Sequence, residues 1–287
     1  MKLLAGTVAV LVLVALHQVL RRAACRAQAL LGRLRAGFPA AAMWERTHPL
    51  RAWLARRWPR GYRFAARRLD IRSAAGLPLT LGLVAAVYIA ALAGGLVEEL
   101  LEADELELVD RTLNHWLDVV RAEPFIAIFT WITSLGSSAT LIAVTLVATA
   151  FSWVHQGRHC VLPLWITVVG AQATTYLGKF ALDRARPEFV TGVTAVTPSF
   201  PSGHATGAMA VYGFVAFLIV RELPRRRDRF DVVYWTLVLI AAVGFSRMYL
   251  GVHYASDVAA GFLVGCFWLL VGIMLTGLRE HRDQRGP

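Results

Sequence analysis

Charge is scarce in this chain. Only 17% of its 287 residues are Asp, Glu, Lys or Arg, 57% are hydrophobic, and mean hydropathy is +0.54. That excludes an ordinary soluble domain and points to a protein that crosses a membrane several times. Cysteine is scarce too: Cys25, Cys160 and Cys266 lie far apart, in or beside apolar runs. This excludes a disulfide framework and a cysteine-based zinc site. Lysine is limited to Lys2 and Lys179, so arginine carries the net charge of +11. The basic residues fall between apolar runs, which is the pattern of an oriented membrane protein rather than a nucleic-acid binder. There is no internal repeat, glycine-rich phosphate loop or dinucleotide fingerprint.

The apolar runs predict seven helical spans, at residues 3–20, 77–97, 125–154, 161–182, 205–220, 232–249 and 258–277. The first is followed at once by Arg21 and Arg22 and is read as an uncleaved anchor. The fold class is therefore all-α: a polytopic membrane bundle with a six-helix core and an N-terminal anchor helix. The expected organisation is an anchor at 1–20, a basic juxtamembrane segment at 21–75, a six-span domain at 76–278 and a basic tail at 279–287. Residues 21–72 hold fourteen Arg against Glu45 and Asp70 alone, with Leu30, Leu31, Leu34, Phe38, Trp53 and Trp58 interleaved. Such a segment suits an anionic membrane surface, and equally a solvated segment obeying the orientation rule. Residues 98–124 are acidic and carry Leu106, Val109, Leu113, Trp116, Leu117 and Val120 at helical spacing, which predicts a short amphipathic surface helix. His155, His159 and Cys160 read as a polar turn rather than a metal site. Gly261 and Gly265 suit helix packing as well as dimerisation.

Three ion-rich stretches lie at span ends on one side. His253 and Asp257 are spaced i, i+4, which on a helix lets the carboxylate hold one ring nitrogen and leaves the other as a base or nucleophile. Lys179, Arg186 and Arg247 would repel one another without a multiply charged anion, and phosphate is the natural one. Ser202, Gly203 and His204 open a helix whose free N–H groups add donors. His204 has no local carboxylate and suits the acid that protonates the leaving oxygen, then the base that activates water. No carboxylate cluster is at hand for magnesium, so the expected chemistry uses neither metal nor cofactor.

The series Lys179-x6-Arg186-Pro187, Pro201-Ser202-Gly203-His204 and Ser246-Arg247-x5-His253-x3-Asp257 resembles the signature of the type-2 phosphatidic acid phosphatase superfamily, in its membrane branch of lipid phosphate phosphatases. The resemblance covers about residues 77–277. It implies a phosphohistidine intermediate on His253, Asp257 as its partner and His204 as acid/base. It also implies phosphate binding by Lys179, Arg186, Ser202, Gly203 and Arg247. For Ser246, helix capping and substrate contact are equally open. The expected function is hydrolysis of a lipid phosphate or pyrophosphate: undecaprenyl pyrophosphate, phosphatidylglycerol phosphate or phosphatidate. A phosphotransferase with the same intermediate and a non-catalytic lipid carrier are the alternatives. Of the 30 basic residues, 23 fall in segments assigned to one side. This predicts a bacterial inner-membrane protein whose site faces the periplasm or cell exterior.

Overall fold

Apolar runs that cross hydrocarbon must satisfy their backbone groups internally, and helices do so within one segment. The computed structural model describes residues 2–37, 40–71, 73–102, 104–187 and 197–283, and these form helices and their connections, with no strand among them. Of the expected features, Phe38, Arg72, residues 188–196 of the linker before Pro201, and Arg285 of the tail lie outside the described residues. The helices are α1 (Lys2–Gly37), α2 (Ala40–Arg57), α3 (Pro59–Arg68), α4 (Leu77–Glu102), α5 (Asp104–Val120) and α6 (Glu123–Ser134), then α7 (Ser138–Phe151), α8 (Val161–Leu182), α9 (Gly203–Glu222), α10 (Arg226–Tyr249) and α11 (Ala255–Asp283). Six segments are long and apolar enough to span: α4, α7 with the turn that follows it, α8, α9, α10 and α11. They match the six-helix core read from the sequence. Large apolar side chains such as Leu81, Val84 and Val87 of α4 point outward, as a lipid-facing surface requires.

One expected span is corrected. Residues 125–154 do not form a single helix; α6 ends at Ser134 and α7 starts at Ser138. Ser137 takes an extended conformation and its hydroxyl accepts the Thr140 N–H at 3.3 Å, an N-cap that starts a new helix. Gly136 fits the break because a Cβ there would lie 2.6 Å from Val243 and 3.1 Å from His204.

Helix α9 is the centre of the bundle, packed against α7, α8, α10 and α11. Gly261 and Gly265 of α11 face its backbone; a Cβ at either would lie 2.7 Å from the carbonyl oxygen of Ser202 or Thr206. Their small-residue spacing therefore serves packing within the chain. Hydroxyls buried among the spans bond back to the preceding turn, as Thr145 does to Leu141 O at 2.7 Å and Thr206 to Ser202 O at 3.0 Å. Helix α1 lies along α10 in the opposite direction: His17 Nε2 meets Asp231 Oδ1 at 2.7 Å, and Tyr234 OH donates to Leu13 O at 2.7 Å. The expected surface helix is α5, with Val109, Trp116 and Val120 exposed and Asp110 turned into the protein.

Candidate active site

The three ion-rich stretches meet at one end of the bundle. Helix α8 stops at Asp183, which takes a left-handed φ of 41° while its N–H bonds Lys179 O. The chain then turns so that Arg184 and Arg186 diverge. Helix α10 stops before Gly251, whose φ of 68° suits a residue without a Cβ, and residues 250–254 form a turn into α11. His253 thus sits in that turn rather than on a helix, which corrects the expected setting of the i, i+4 pair. Asp257 lies at the third position of α11, where its Oδ2 reaches back to the Tyr254 N–H at 2.9 Å. This is the return half of a capping box. The same oxygen meets His253 Nδ1 at 3.3 Å. The pairing expected from the spacing is present, held by a cap instead of by a helical face. Ser202 N donates to Asp257 O at 3.0 Å, joining the first turns of α9 and α11.

A cavity of about 360 Å³ opens between these ends. Lys179, Arg186, Gly203, His204, Arg247 and His253 line it, and Thr133, Gly136 and Ser137 at the α6–α7 break form the facing wall. Asp257 and Ser202 are buried behind this lining. Arg186 is held by carbonyls, Nε on Thr197 O and Nη1 on Val252 O at 2.8 and 2.7 Å, and Nη1 also lies 3.3 Å from His253 Nε2. Lys179 Nζ donates to Pro198 O. Arg247 Nη1 donates to Thr133 Oγ1 at 2.9 Å, while its buried Nε and the Ser202 hydroxyl have no partner among the described residues. Ser246 Oγ bonds Val243 O in its own helix at 2.6 Å and is fully buried, so it is neither a cap nor on the cavity wall.

The tautomer of His253 follows from its neighbours. A carboxylate only accepts and a guanidinium only donates, so Nδ1 carries the proton and the unprotonated Nε2 faces Arg186 at the cavity wall. Burial pulls this imidazole down to about 4 although Asp257 opposes the shift. It is therefore neutral at pH 7. Among the described residues a Cβ on Gly203 would meet only Thr175, at an ordinary 3.6 Å, so packing does not require a glycine there.

Sequence reasoning missed Thr133, Arg184 and Asp110. Arg184 Nη1 reaches Asp257 Oδ1 at 2.6 Å and Nη2 reaches Asp110 Oδ2 at 2.8 Å. Asp110, in an acidic run, gave no local sign of an inward carboxylate, and Arg184 occupies one of the free positions between Lys179 and Arg186.

Residues 160–279 match the PAP2 superfamily. Over 144 residues the chain is 31% identical to the decaprenylphosphoryl-5-phosphoribose phosphatase of Mycobacterium tuberculosis, covering 42% of this chain and 75% of that protein. The chain belongs to the PAP2 superfamily. It is also 29% identical over 181 residues to phosphatidylglycerophosphatase B of Bacillus subtilis, covering 63% of this chain and 88% of that protein. The crystal structure of a transmembrane PAP2-type phosphatidylglycerolphosphate phosphatase from Bacillus subtilis superposes with a TM-score of 0.60 at 26% identity, over 70% of this chain and 97% of that one. The protein is thus a multi-pass PAP2 lipid phosphate phosphatase, a hydrolase.

Proposed function

We propose that this PAP2 phosphatase removes the terminal phosphate of a membrane lipid, with phosphatidylglycerol phosphate the first candidate, through a phosphohistidine on His253. The observation that carries the reading is the unprotonated Nε2 of His253 beside Arg186 in the wall of a cavity that Lys179 and Arg247 also line. Nε2 attacks phosphorus in line, the N–P bond forms as the P–O bond to the lipid breaks, and His204 protonates the leaving oxygen. His204 then takes a proton from water, whose oxygen attacks phosphorus and releases inorganic phosphate from His253. The three cations and the first N–H groups of α9, beside Ser202 and Gly203, stabilise charge on the equatorial oxygens. Asp257 keeps its proton acceptor on Nδ1 while positive charge develops on the ring.

Two relatives support a phosphorylated lipid head group as substrate: their names describe phosphatases of phosphatidylglycerophosphate and of decaprenylphosphoryl-5-phosphoribose. At the other end of the bundle, α3 presents Arg60, Arg63 and Arg67 beside exposed Trp58 and Phe64. That composition supports contact with anionic lipids of the opposite leaflet.

The test is phosphate release by purified protein in mixed micelles, across phosphatidylglycerol phosphate, phosphatidate and undecaprenyl pyrophosphate, with glycerol 3-phosphate as a lipid-free control. The expected result is the highest kcat/KM on phosphatidylglycerol phosphate, unchanged by EDTA because the protein's own cations supply the charge. Preference for the prenyl pyrophosphate would replace the substrate. Label passing to a second lipid would make the protein a transferase, and no turnover on any lipid would leave a carrier.

A further inference from the structure

Asp257 has two carboxylate oxygens, and the mechanism above uses only Oδ2. The other, Oδ1, accepts from Arg184 Nη1 at 2.6 Å. The carboxylate is fully buried, and among the described residues its plane is set on one side by the imidazole and the Tyr254 amide and on the other by Arg184. Arg184 is itself fixed. Its Nη2 donates to Asp110 Oδ2 at 2.8 Å, Nη1 also donates to Ser256 Oγ at 2.8 Å, and the guanidinium carbon lies 4.4 Å from the centre of the Tyr254 ring. Asp110 in turn accepts the Ser256 N–H at 3.0 Å on Oδ1 and the Ser256 hydroxyl on Oδ2. A residue of the surface helix α5 thereby satisfies an otherwise orphan donor in the first turn of α11, one residue before Asp257.

A buried pair that merely staples α5 to the bundle would need Asp110 and Arg184 alone. Here the arginine spans two carboxylates that are almost wholly buried, Asp110 at 1% exposure and Asp257 at 0%. Without the cation between them the two would repel in a poorly screened site, and Asp257 would keep its Oδ2 contacts but lose the anchor on Oδ1 that fixes the carboxylate plane. Burial lowers the Arg184 pKa, but Asp257 and Asp110 outweigh it and hold the guanidinium above its ordinary value. We infer that Arg184 and Asp110 are positioning residues for phosphoryl transfer, acting through Asp257 on the orientation of His253, and that α5 is thereby part of the catalytic centre. The inference rests on the phosphohistidine reading. As the N–P bond forms, the ring becomes cationic and needs a fixed acceptor on Nδ1, and Arg184 keeps that acceptor aimed and ionised.

The experiment measures Arg184→Gln, Arg184→Lys, Asp110→Asn and the double variant Asp110→Asn/Arg184→Gln in the full-length protein. Readouts are kcat, KM, inhibition by vanadate and inhibition by inorganic phosphate. Vanadate bonds to Nε2 in the five-coordinate geometry of the transition state and so reads ring orientation. Inorganic phosphate held by the cations reads the cradle. Arg184→Gln is expected to lower kcat by about 100-fold with KM changed by less than about threefold, the signature of a loss felt mainly in the transition state. Vanadate inhibition should weaken by at least about tenfold while phosphate inhibition stays put. Asp110→Asn should lose about tenfold, Arg184→Lys should recover part of the loss, and the double variant should be no worse than Arg184→Gln, because both act through one carboxylate. If Asp110→Asn fails to fold, Asp110→Glu and Arg184→Lys carry the same comparison. Full specific activity of folded Arg184→Gln, or vanadate and phosphate inhibition weakening together, would reduce the cluster to a staple. His253→Gln is the separate control: turnover by that variant would remove the phosphohistidine reading, whereas an inactive His253→Gln beside a fully active Arg184→Gln would overturn only this inference.

Discussion

The imidazole of His253 is poised by what each neighbour can and cannot do. Asp257 can only accept and Arg186 can only donate, so the ring is protonated on Nδ1 and its single lone pair is on Nε2, beside Arg186. Its pKa is held down by burial to about 4, so the neutral form persists from neutral pH down through the ordinary histidine range, and on the phosphohistidine reading attack is lost only as the ring protonates near pH 4. The acid limb of kcat/KM, which reports the free enzyme, should have its midpoint nearer 4 than 6.5 once the substrate's own ionisation is allowed for. A midpoint at 6.5 would mean that the ring is solvated. Gly203 gives a second test. Among the described residues a methyl there meets only ordinary contact with Thr175, so Gly203→Ala should fold with an unchanged melting temperature. Its kcat/KM should still fall by at least about tenfold, because the methyl takes space meant for phosphate oxygens and displaces the reacting group. Most of this centre was legible from spacing alone: Lys179, Arg186, Gly203, His204, Arg247 and His253 line one cavity, with Asp257 behind. Arg184 and Asp110 were not. Arg184 stands among the unspecified positions between Lys179 and Arg186, and Asp110 finds its Ser256 partner 146 residues away, beyond any local pattern.

At the scale of elements, hydropathy read the spans but not the break within one of them. Residues 125–154 carry no charge, and the small residues Gly136, Ser137 and Ser138 do not by themselves mark a helix end. Their role shows only where Gly136 lies against Val243 and His204. The break matters because it brings Thr133 and Ser137 to the cavity wall, with Thr133 holding Arg247. Packing of α11 on α9 sets the other wall. Gly261 faces the Ser202 carbonyl so closely that a side chain must push the helices apart. Gly261→Leu should cost about 1–3 kcal/mol by overpacking, read as a lowered melting temperature in detergent. Activity should fall with it, since Ser202 and Asp257 are bonded across the same contact. An unaltered melting temperature would mean that the two helices do not approach as described.

Across the whole molecule, the site end and the basic end are opposite ends. Helix α10 runs from Arg226 to Arg247 at the cavity, and α11 runs from Asp257 back to the Arg221–Glu280 pair at 2.8 Å. Helix α3 lies near this far end, where its Arg67 and Arg68 share a cavity with His281. The rule that basic loops stay in the cytoplasm predicts an outward-facing cavity, and α1, antiparallel to α10, climbs toward the cavity end as its residue numbers fall. With single cysteines at Glu105 and at Arg227 in a cysteine-free background, an impermeant thiol reagent should label the first in intact cells and spare the second. The reverse pattern would place dephosphorylation in the cytoplasm. Charge distribution made the separation of the two ends legible, because the basic residues cluster between spans even where the contacts that pack the helices leave no trace in sequence.

The central claim is a covalent phosphohistidine on His253, and rapid quenching of the enzyme with a terminally 32P-labelled lipid substrate tests it most directly. The label should appear on the protein within one turnover, stable to alkali and lost in acid, and map to the peptide containing His253. It should be absent from His253→Gln. An unlabelled enzyme at full turnover, or a label on a serine or aspartate, would contradict the account.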